Sequence, residues 1–407
     1  MASPRGACPP GPGSHGLEHG WLARLSGAFR RTTAESRDKE SPATPRVASR
    51  DLRAVQRHPR EISTRLSRAV RHKVNQRENR GRSSDDPNSR SDVALGDIVA
   101  ARKRISGLVL RTPLVRLDME NAPAEVYLKL ENLQPTGSFK VRGAGNAISL
   151  LSPAERKRGV YTCSAGNMAQ ALAWHAQRLG IPCTVIMPDT APQTKLAGVR
   201  RFGANIVQLS WDEVWKIGIT RVYEPLKQMV FVHPFSEFGM IAGNGTIGLE
   251  ILEDLPNVDA VIVPYGGGGL IGGIATAIKA RRPKTKMYAC EPETAAPLAA
   301  SFAIGSPREF KRIPSFVDGS GASSVLPEMW GLNRPLLSGS IVVSLREVAS
   351  AIKLLVERHR VVAEGAGGSS VAAALTGKAG RGRVVAVVSG GNIDAAKLTT
   401  ILNGQVP

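Results

Sequence analysis

Apolar positions fall into two regimes that change near Val93. Residues 1–90 are rich in Arg, Ser, Pro and Gly and poor in large apolar side chains, so this stretch cannot bury enough surface to offset its ordering entropy and is expected to be disordered. Within it, Ile62, Leu66, Val70 and Val74 recur at i, i+4 spacing between arginines, a short basic amphipathic helix at most. From Val93 onward, short apolar runs alternate with segments of helical period. Strands are predicted at Thr112–Leu117, Glu125–Leu130, Gly159–Cys163, Cys183–Met187, Asn205–Leu209, Met229–Val232, Asp259–Val263, 286–290 and Arg383–Val388. Helices are predicted at Asp97–Ile105, after Lys140, and at 167–179, 193–202, 211–228, 239–254, 269–281, 345–357 and 393–402. Continuous apolar strands separated by helices imply an α/β fold with parallel-rich sheets covered on both faces.

Composition and charge sharpen this division. The 42 glycines and few aromatics suit tight turns and close helix–sheet packing. Of the net charge of +20, half lies in residues 1–90, which hold 19 Lys/Arg against 9 Asp/Glu. The remainder has no long charge run, and the basic extension lacks interleaved aromatics, so nucleic acid is not expected as a partner. Trp21, Leu22, Leu25 and Phe29, followed by Arg30-Arg31, have a trace of a transit peptide, but an extension without function is the preferred reading. Neither a membrane span nor a signal peptide is expected, which places the chain in the cytoplasm. Cys8, Cys163, Cys183 and Cys290 are scattered without metal-ligand spacing; the last three lie in or beside apolar runs and read as buried free thiols. No metal site is expected.

Candidate chemistry gathers at glycine-rich junctions. The run Pro135-Thr-Gly-Ser-Phe-Lys-Val-Arg-Gly-Ala-Gly-Asn146 puts Lys140 where a strand-to-helix turn gives way to a helix start. An ammonium there is disfavoured by the helix dipole and by burial, and a partly neutral lysine is a nucleophile for an aldehyde; an ordinary surface lysine is the bland alternative. Ser164-Ala-Gly-Asn167 lies between a strand and a helix, where free N–H groups suit a carboxylate or phosphate, or where Asn167 merely caps the helix. Gly266-Gly-Gly-Gly-Leu-Ile-Gly-Gly273 follows a strand and opens a helix, permitting a backbone nest for phosphate, although a P-loop lysine is missing. Ser389-Gly-Gly-Asn392 is a third such turn, and with Glu364-Gly-Ala-Gly367 all are expected at carboxyl ends of parallel strands, where ligands bind.

In this order and spacing the motifs resemble the threonine/serine dehydratase and serine racemase family of fold-type-II pyridoxal-phosphate enzymes. The resemblance spans roughly residues 93–407 and includes P-T-G-S-F-K-x-R-G-A, S-A-G-N, H-P-F, A-G-x-G-T-I-G-L-E, G-G-G-G-L, E-G-A-G and S-G-G-N. It implies pyridoxal 5'-phosphate as cofactor, carried on Lys140 as a Schiff base, with Phe139 flanking the ring and Asn167 bonding its 3-hydroxyl. Gly266, Gly267, Gly268, Gly269 and Leu270 would hold the phosphate, Ser389 would bond the pyridine nitrogen, and Glu364 would lie near that nitrogen or serve only as a helix N-terminal carboxylate. Ser164, Ala165, Gly166, Asn167, Phe235 and Asn244 would contact substrate.

The implied reaction is dehydration and deamination of a β-hydroxy-α-amino acid, L-threonine or L-serine or a bulkier analogue, to a 2-oxo acid and ammonia. The same resemblance implies two lobes, a large cofactor-binding one from 91–157 and 241–407 and a small mobile one from 158–240, and assembly into a homo-oligomer. Departures from the family pattern bear on the outcome. Met168 stands where His is usual, and Ala242-Gly-Asn-Gly-Thr246 replaces A-G-Q-G-T. Racemases carry at Ala165 a serine that acts as the second base, and Asn at Phe235, so both positions favour elimination over racemisation. Pro297 stands where the family's divalent-ion site near Glu291 would need an aspartate. The rivals are an amino-acid racemase and a cofactor-binding protein that has lost its chemistry, against which the intact Lys140 argues.

Overall fold

The computed structural model describes residues 92–191 and 193–407; the expectations for residues 1–90, and Cys8, lie outside them. Elements run in the order α1 (Leu95–Arg104), β1 (Leu114–Arg116), β2 (Glu125–Leu130), α2 (Lys140–Ser149), α3 (Pro153–Arg158), β3 (Val160–Cys163), α4 (Asn167–Leu179), β4 (Cys183–Pro188), α5 (Gln193–Arg200) and β5 (Asn205–Leu209). There follow α6 (Trp211–Thr220), β6 (Val230–Phe231), α7 (Phe238–Asp254), β7 (Ala260–Pro264), α8 (Gly269–Arg281), β8 (Lys286–Pro292) and α9 (Pro297–Ile304). The chain closes with α10 (Pro327–Asn333), β9 (Gly339–Val343), α11 (Leu345–Leu354), α12 (Gly365–Leu375), β10 (Arg383–Val388) and α13 (Ala395–Leu402).

Two sheets organise these elements. The larger has the order β1-β2-β10-β7-β8-β9, parallel except for the antiparallel edge strand β1. The smaller, β5-β4-β3-β6, is parallel throughout. Every residue of β4 and β7 is buried, as expected for strands covered on both faces. β2 and β10 pair in register from Glu125↔Arg383 to Leu130↔Val388, although more than half the chain separates them.

Three sequence-based expectations need correction. The helix at 211–228 stops at Thr220, because Arg221 takes a left-handed conformation (φ 60°) and Pro225 lies in a separate 3-10 turn over Glu224–Leu226. β9 was not anticipated, since its first residues, Gly339 and Ser340, carry little strand signal and its burial is only partial. Glu364–Gly367 does not follow a strand: it opens the wholly interior helix α12, whose Gly365 to Ala374 are all buried. Small residues are required there, since a Cβ on Gly367 would stand 2.6 Å from the Gly390 carbonyl oxygen and one on Gly368 2.6 Å from an Ile352 side-chain carbon.

A buried ionic group fixes α2 to the larger sheet. The Arg142 guanidinium, 1 % exposed, donates to both carboxylate oxygens of Glu131 at 2.8 Å and both of Glu250 at 2.7 and 2.9 Å. Lys129 donates to Glu250 and to the Thr112 carbonyl, each at 2.6 Å, and the Thr112 hydroxyl donates to Glu131 at 2.5 Å. Burial pulls the Arg142 guanidinium down, but the two carboxylates more than offset that and hold it above its usual value. Burial likewise pushes Glu131 up, and Arg142 brings it below the usual carboxylate range. Where α2 crosses α7 the backbones nearly touch, since a Cβ on Gly243 would lie 2.5 Å from the Arg142 carbonyl oxygen.

Candidate active site

Two turns distant in sequence zip together to place Lys140. Phe139 N–H donates to the Ser389 carbonyl at 3.0 Å, Gly391 N–H donates to the Gly137 carbonyl at 2.9 Å, and Ser138 forms an antiparallel bridge with Gly390. Lys140 is thereby the first residue of α2, whose N-terminus no side chain caps. Its Nζ donates to the Pro234 carbonyl at 2.5 Å and lies 5.1 Å from the Phe139 ring centroid. Burial lowers its pKa to about 8, against a smaller upward pull from Glu364. Lys140 is half-buried, with its amine held by a backbone carbonyl.

The residues Lys140 faces are held by hydrogen bonds that cross between the sheets. Asn167 is not a cap: Gly166 is the N-cap of α4, and the Asn167 amide donates to Glu364 Oε1 at 2.7 Å and accepts from the Asn392 amide at 2.8 Å. Asn392 donates in turn to the Thr136 carbonyl at 2.9 Å. Glu364 is the N-cap of α12, and its backbone N–H donates to the Gly390 carbonyl at 3.0 Å. Burial, with Asp318 nearby, raises its carboxyl to about 7, partly countered by Asn167, Lys195 and Lys140. Glu364 thus stands at a helix start without capping it by its side chain, and its carboxyl instead meets Asn167 and lines the cavity.

His233 shapes the turn that meets Lys140. Its Nδ1 accepts from Ser236 N–H at 2.9 Å and Phe235 N–H at 3.2 Å, while Nε2 lies 3.2 Å from the Gly218 carbonyl, so the ring is neutral with its proton on Nε2. Burial drives its pKa well down, in keeping with that state. The turn lays Phe235 over the glycine run: a Cβ on Gly267 would stand 2.1 Å from the Phe235 ring and one on Gly269 2.0 Å from its carbonyl oxygen. Gly268, with φ +88°, is the N-cap of α8, and no side chain caps that helix. The glycine run thus packs against Phe235 on one side and lines the cavity at an uncapped helix N-terminus.

A cavity of about 630 Å³ joins these parts. Phe139, Lys140, Ser164, Ala165, Gly166, Asn167, Phe235, Gly266, Gly267, Gly268, Gly269, Leu270, Glu364 and Ser389 all line it. Asn244 does not: it is buried in the contact of α7 with α2, its amide oxygen 2.8 Å from where a Cβ of Gly143 would be. The resemblance, with Asn replacing Gln in the A-G-Q-G-T motif, implied a pocket residue, but the helix face it occupies points at α2. Glu291 accepts from Leu298 N–H and Ala299 N–H at 2.8 Å and from the Ser340 hydroxyl at 2.6 Å, so its carboxylate serves the start of α9. No metal-holding group of acidic, His or Cys side chains occurs among the described residues. Sequence reasoning gave no role to Asn392, to the Lys195–Asp318 ion pair across the cavity mouth, or to the cavity-facing side of α6. For α6 the signal was present, as Trp211, Trp215 and Ile219 recur at i, i+4 spacing.

A half-buried, partly neutral amine at the carboxyl edges of parallel strands, beside an uncapped helix N-terminus, defines an enzyme that works through an aldehyde-bearing anionic cofactor. The chain belongs to the pyridoxal-phosphate dependent enzyme family, whose family model matches residues 105–390. It is 42 % identical over 287 residues to an L-threonine ammonia-lyase of Thermotoga maritima, covering 70 % of this chain and 71 % of that one. Among solved structures, the processed threonine deaminase isoform 2 of Solanum lycopersicum superposes with a TM-score of 0.71 at 32 % identity, over 80 % of this chain and 89 % of that one. The maize serine racemase superposes with a TM-score of 0.70 at 33 % identity, over 76 % and 97 % of the two chains. No helix among the described residues is long and apolar enough to cross a membrane.

Proposed function

We propose that this protein is an ammonia-lyase that converts a β-hydroxy-α-amino acid, with L-threonine and L-serine as default substrates, into a 2-oxo acid and ammonia. The observation that carries the reading is Lys140, a half-buried amine bonded to the Pro234 carbonyl, with its pKa lowered to about 8 by desolvation, in a cavity whose wall at residue 165 is a methyl group. Such an amine is neutral far more often near pH 7 than an unperturbed lysine is.

The residues present fit pyridoxal phosphate. The cradle Gly266–Leu270 offers N–H groups and a helix N-terminus to the phosphate, with no room for a Cβ at Gly267 or Gly269. Lys140 is the amine for the aldehyde, Phe139 the flat apolar neighbour, Asn167 the polar partner for the 3-hydroxyl, and Ser389 a hydroxyl for the pyridine nitrogen. Bound, the cofactor supplies an electron sink for charge developing at the substrate α-carbon. With substrate bound, Lys140 would be the base that takes the α-proton. The Ser164–Asn167 turn at the start of α4 holds the substrate carboxylate through backbone N–H groups. Because Asn167 and Asn392 bridge the two sheets, a small lobe of 158–240 closing on the remainder would bring that turn to the substrate. Assembly as a homo-oligomer in the cytoplasm completes the reading; the buried free thiols Cys163, Cys183 and Cys290 are in keeping with a reducing compartment.

A racemase is the second reading, favoured by the likeness to the maize enzyme. Moving a proton between faces of the α-carbon needs an acid/base group on each, and Ala165 offers none. The test is the purified protein with L-threonine or L-serine, with and without Lys140→Ala. The wild type should release keto acid and bind cofactor with a visible absorbance, and the variant should lose both. A Lys140→Ala protein that keeps either one overturns the proposal.

A further inference from the structure

The cavity has a wall that removal of water and ammonia from threonine does not require. Helix α6 turns Val214 and Ile217 into an apolar cluster with Tyr161, Cys163 and Phe231 on the smaller sheet. One quarter-turn away, Trp211, Trp215 and Ile219 form a stripe at i, i+4, i+8, and all three line the cavity that holds Lys140. Trp211 and Ile219 are 48 % and 53 % exposed, large apolar side chains facing space instead of core. The stripe belongs to the site. Gly218, between Trp215 and Ile219, stands 3.6 Å (from an added Cβ) off Cys163 Sγ, just before the Ser164–Asn167 turn, and its carbonyl meets His233, which shapes the turn against Lys140. The cations beside the stripe are already engaged: Lys195 pairs with Asp318, and the Arg312 guanidinium lies 5.2 Å over the Trp211 ring.

We propose that the Trp211–Trp215–Ile219 stripe receives the β-substituent of the substrate, and that the preferred substrates are β-hydroxy-α-amino acids bearing a bulky apolar, above all aromatic, group at the β-carbon. The inference rests on the ammonia-lyase reading and names its substrate class. Burying an aromatic ring against two indoles and an isoleucine removes apolar surface from water on both partners, whereas the methyl of threonine leaves the stripe wet. The chemistry balances without an oxidant or reductant: the Cα–H and Cβ–O bonds break with loss of water, a proton adds at Cβ, and one water returns to replace the Cα–N bond with a carbonyl, so that β-phenylserine gives phenylpyruvate and ammonia.

The full-length protein loaded with pyridoxal phosphate is assayed for keto-acid release from L-threonine, L-threo-β-phenylserine and L-β-hydroxyaspartate. The expected kcat/KM for phenylserine exceeds that for threonine by about 10-fold or more, the scale on which apolar pocket contacts discriminate. Trp215→Ala should reduce the phenylserine-to-threonine ratio by about 10-fold or more, and Trp211→Ala, at a half-exposed position that does not threaten folding, should reduce it in the same direction. If the wild type prefers threonine, or if both substitutions leave the ratio unchanged, the inference falls and the ammonia-lyase reading stands. A preference for hydroxyaspartate assigns selection to the cations of the rim and equally overturns it. Release of keto acid from none of the three defeats the ammonia-lyase reading itself.

Discussion

Replacing Arg142 by Met tests whether the ionic group under α2 is a structural necessity. The substitution keeps an unbranched apolar stem but removes the guanidinium, leaving Glu131 and Glu250 facing each other without their shared cation, while Lys129 still reaches Glu250. Removing one partner of a buried pair costs about 3–5 kcal/mol. A folded part of about 300 residues unfolds with an entropy near 0.6 kcal/mol/K, so the thermal midpoint should drop by about 5–8 °C. The deficit should also depend on pH. In the wild type Arg142 holds the Glu131 carboxyl below its unfolded value, so that residue's contribution is present above the unfolded pKa and is lost only as pH falls through the lower, folded one. Without Arg142, burial dominates and raises the same carboxyl, so the folded state now binds the extra proton and loses stability as pH rises through the raised value. The gap between variant and wild type should therefore be small near pH 5 and large near pH 8, as read by differential scanning calorimetry of both proteins. A deficit under about 1 kcal/mol, or one equal at both pH values, would refute the reasoning.

Two further outcomes follow from the site. Ala165→Ser places a hydroxyl on the cavity wall, so D-isomer from L-serine should rise measurably by chiral chromatography while keto-acid release persists; a wild type that already forms much D-isomer means another group reaches that face. Glu364→Gln removes the carboxylate that pulls the Lys140 pKa upward, so the pH midpoint for cofactor uptake should move down relative to the wild type when followed by absorbance; no movement, or a rise, would show that the two groups do not interact.

The sequence carried the α/β class and nearly every strand because parallel strands buried on both faces read as unbroken apolar runs. β10 as Arg383–Val388 and β2 as Glu125–Leu130 match residue for residue. It failed where tertiary contact overrides local preference. α12 opens on a run of Gly and Ser that disfavours a helix, and it is helical because only such small residues fit between Val317, Ile352 and Gly390. The motif residues around Lys140 were legible since their glycines and polar groups are unusual in any core, and all but Asn244 line one cavity. Asn392 and Asp318 escaped notice because their importance lies in partners far along the chain, Asn167 and Lys195, and pairing of that kind leaves no periodic trace.

The order of the larger sheet has a consequence for synthesis. β10, made after the other strands of the described residues, inserts between β2 and β7 and supplies Ser389 to the turn that orients Lys140. Until residue 391 has left the ribosome, β2 and β7 each show an unpaired edge, and Gly137 and Phe139 lack the partners that set the start of α2. The nascent chain therefore carries its reactive lysine for most of its synthesis without the pocket that lowers its pKa. Aggregation is the hazard of that interval, as unpaired parallel edges and apolar faces stay open while translation proceeds. Cofactor capture is correspondingly a late event, coupled to the closing of the sheet by its last strand.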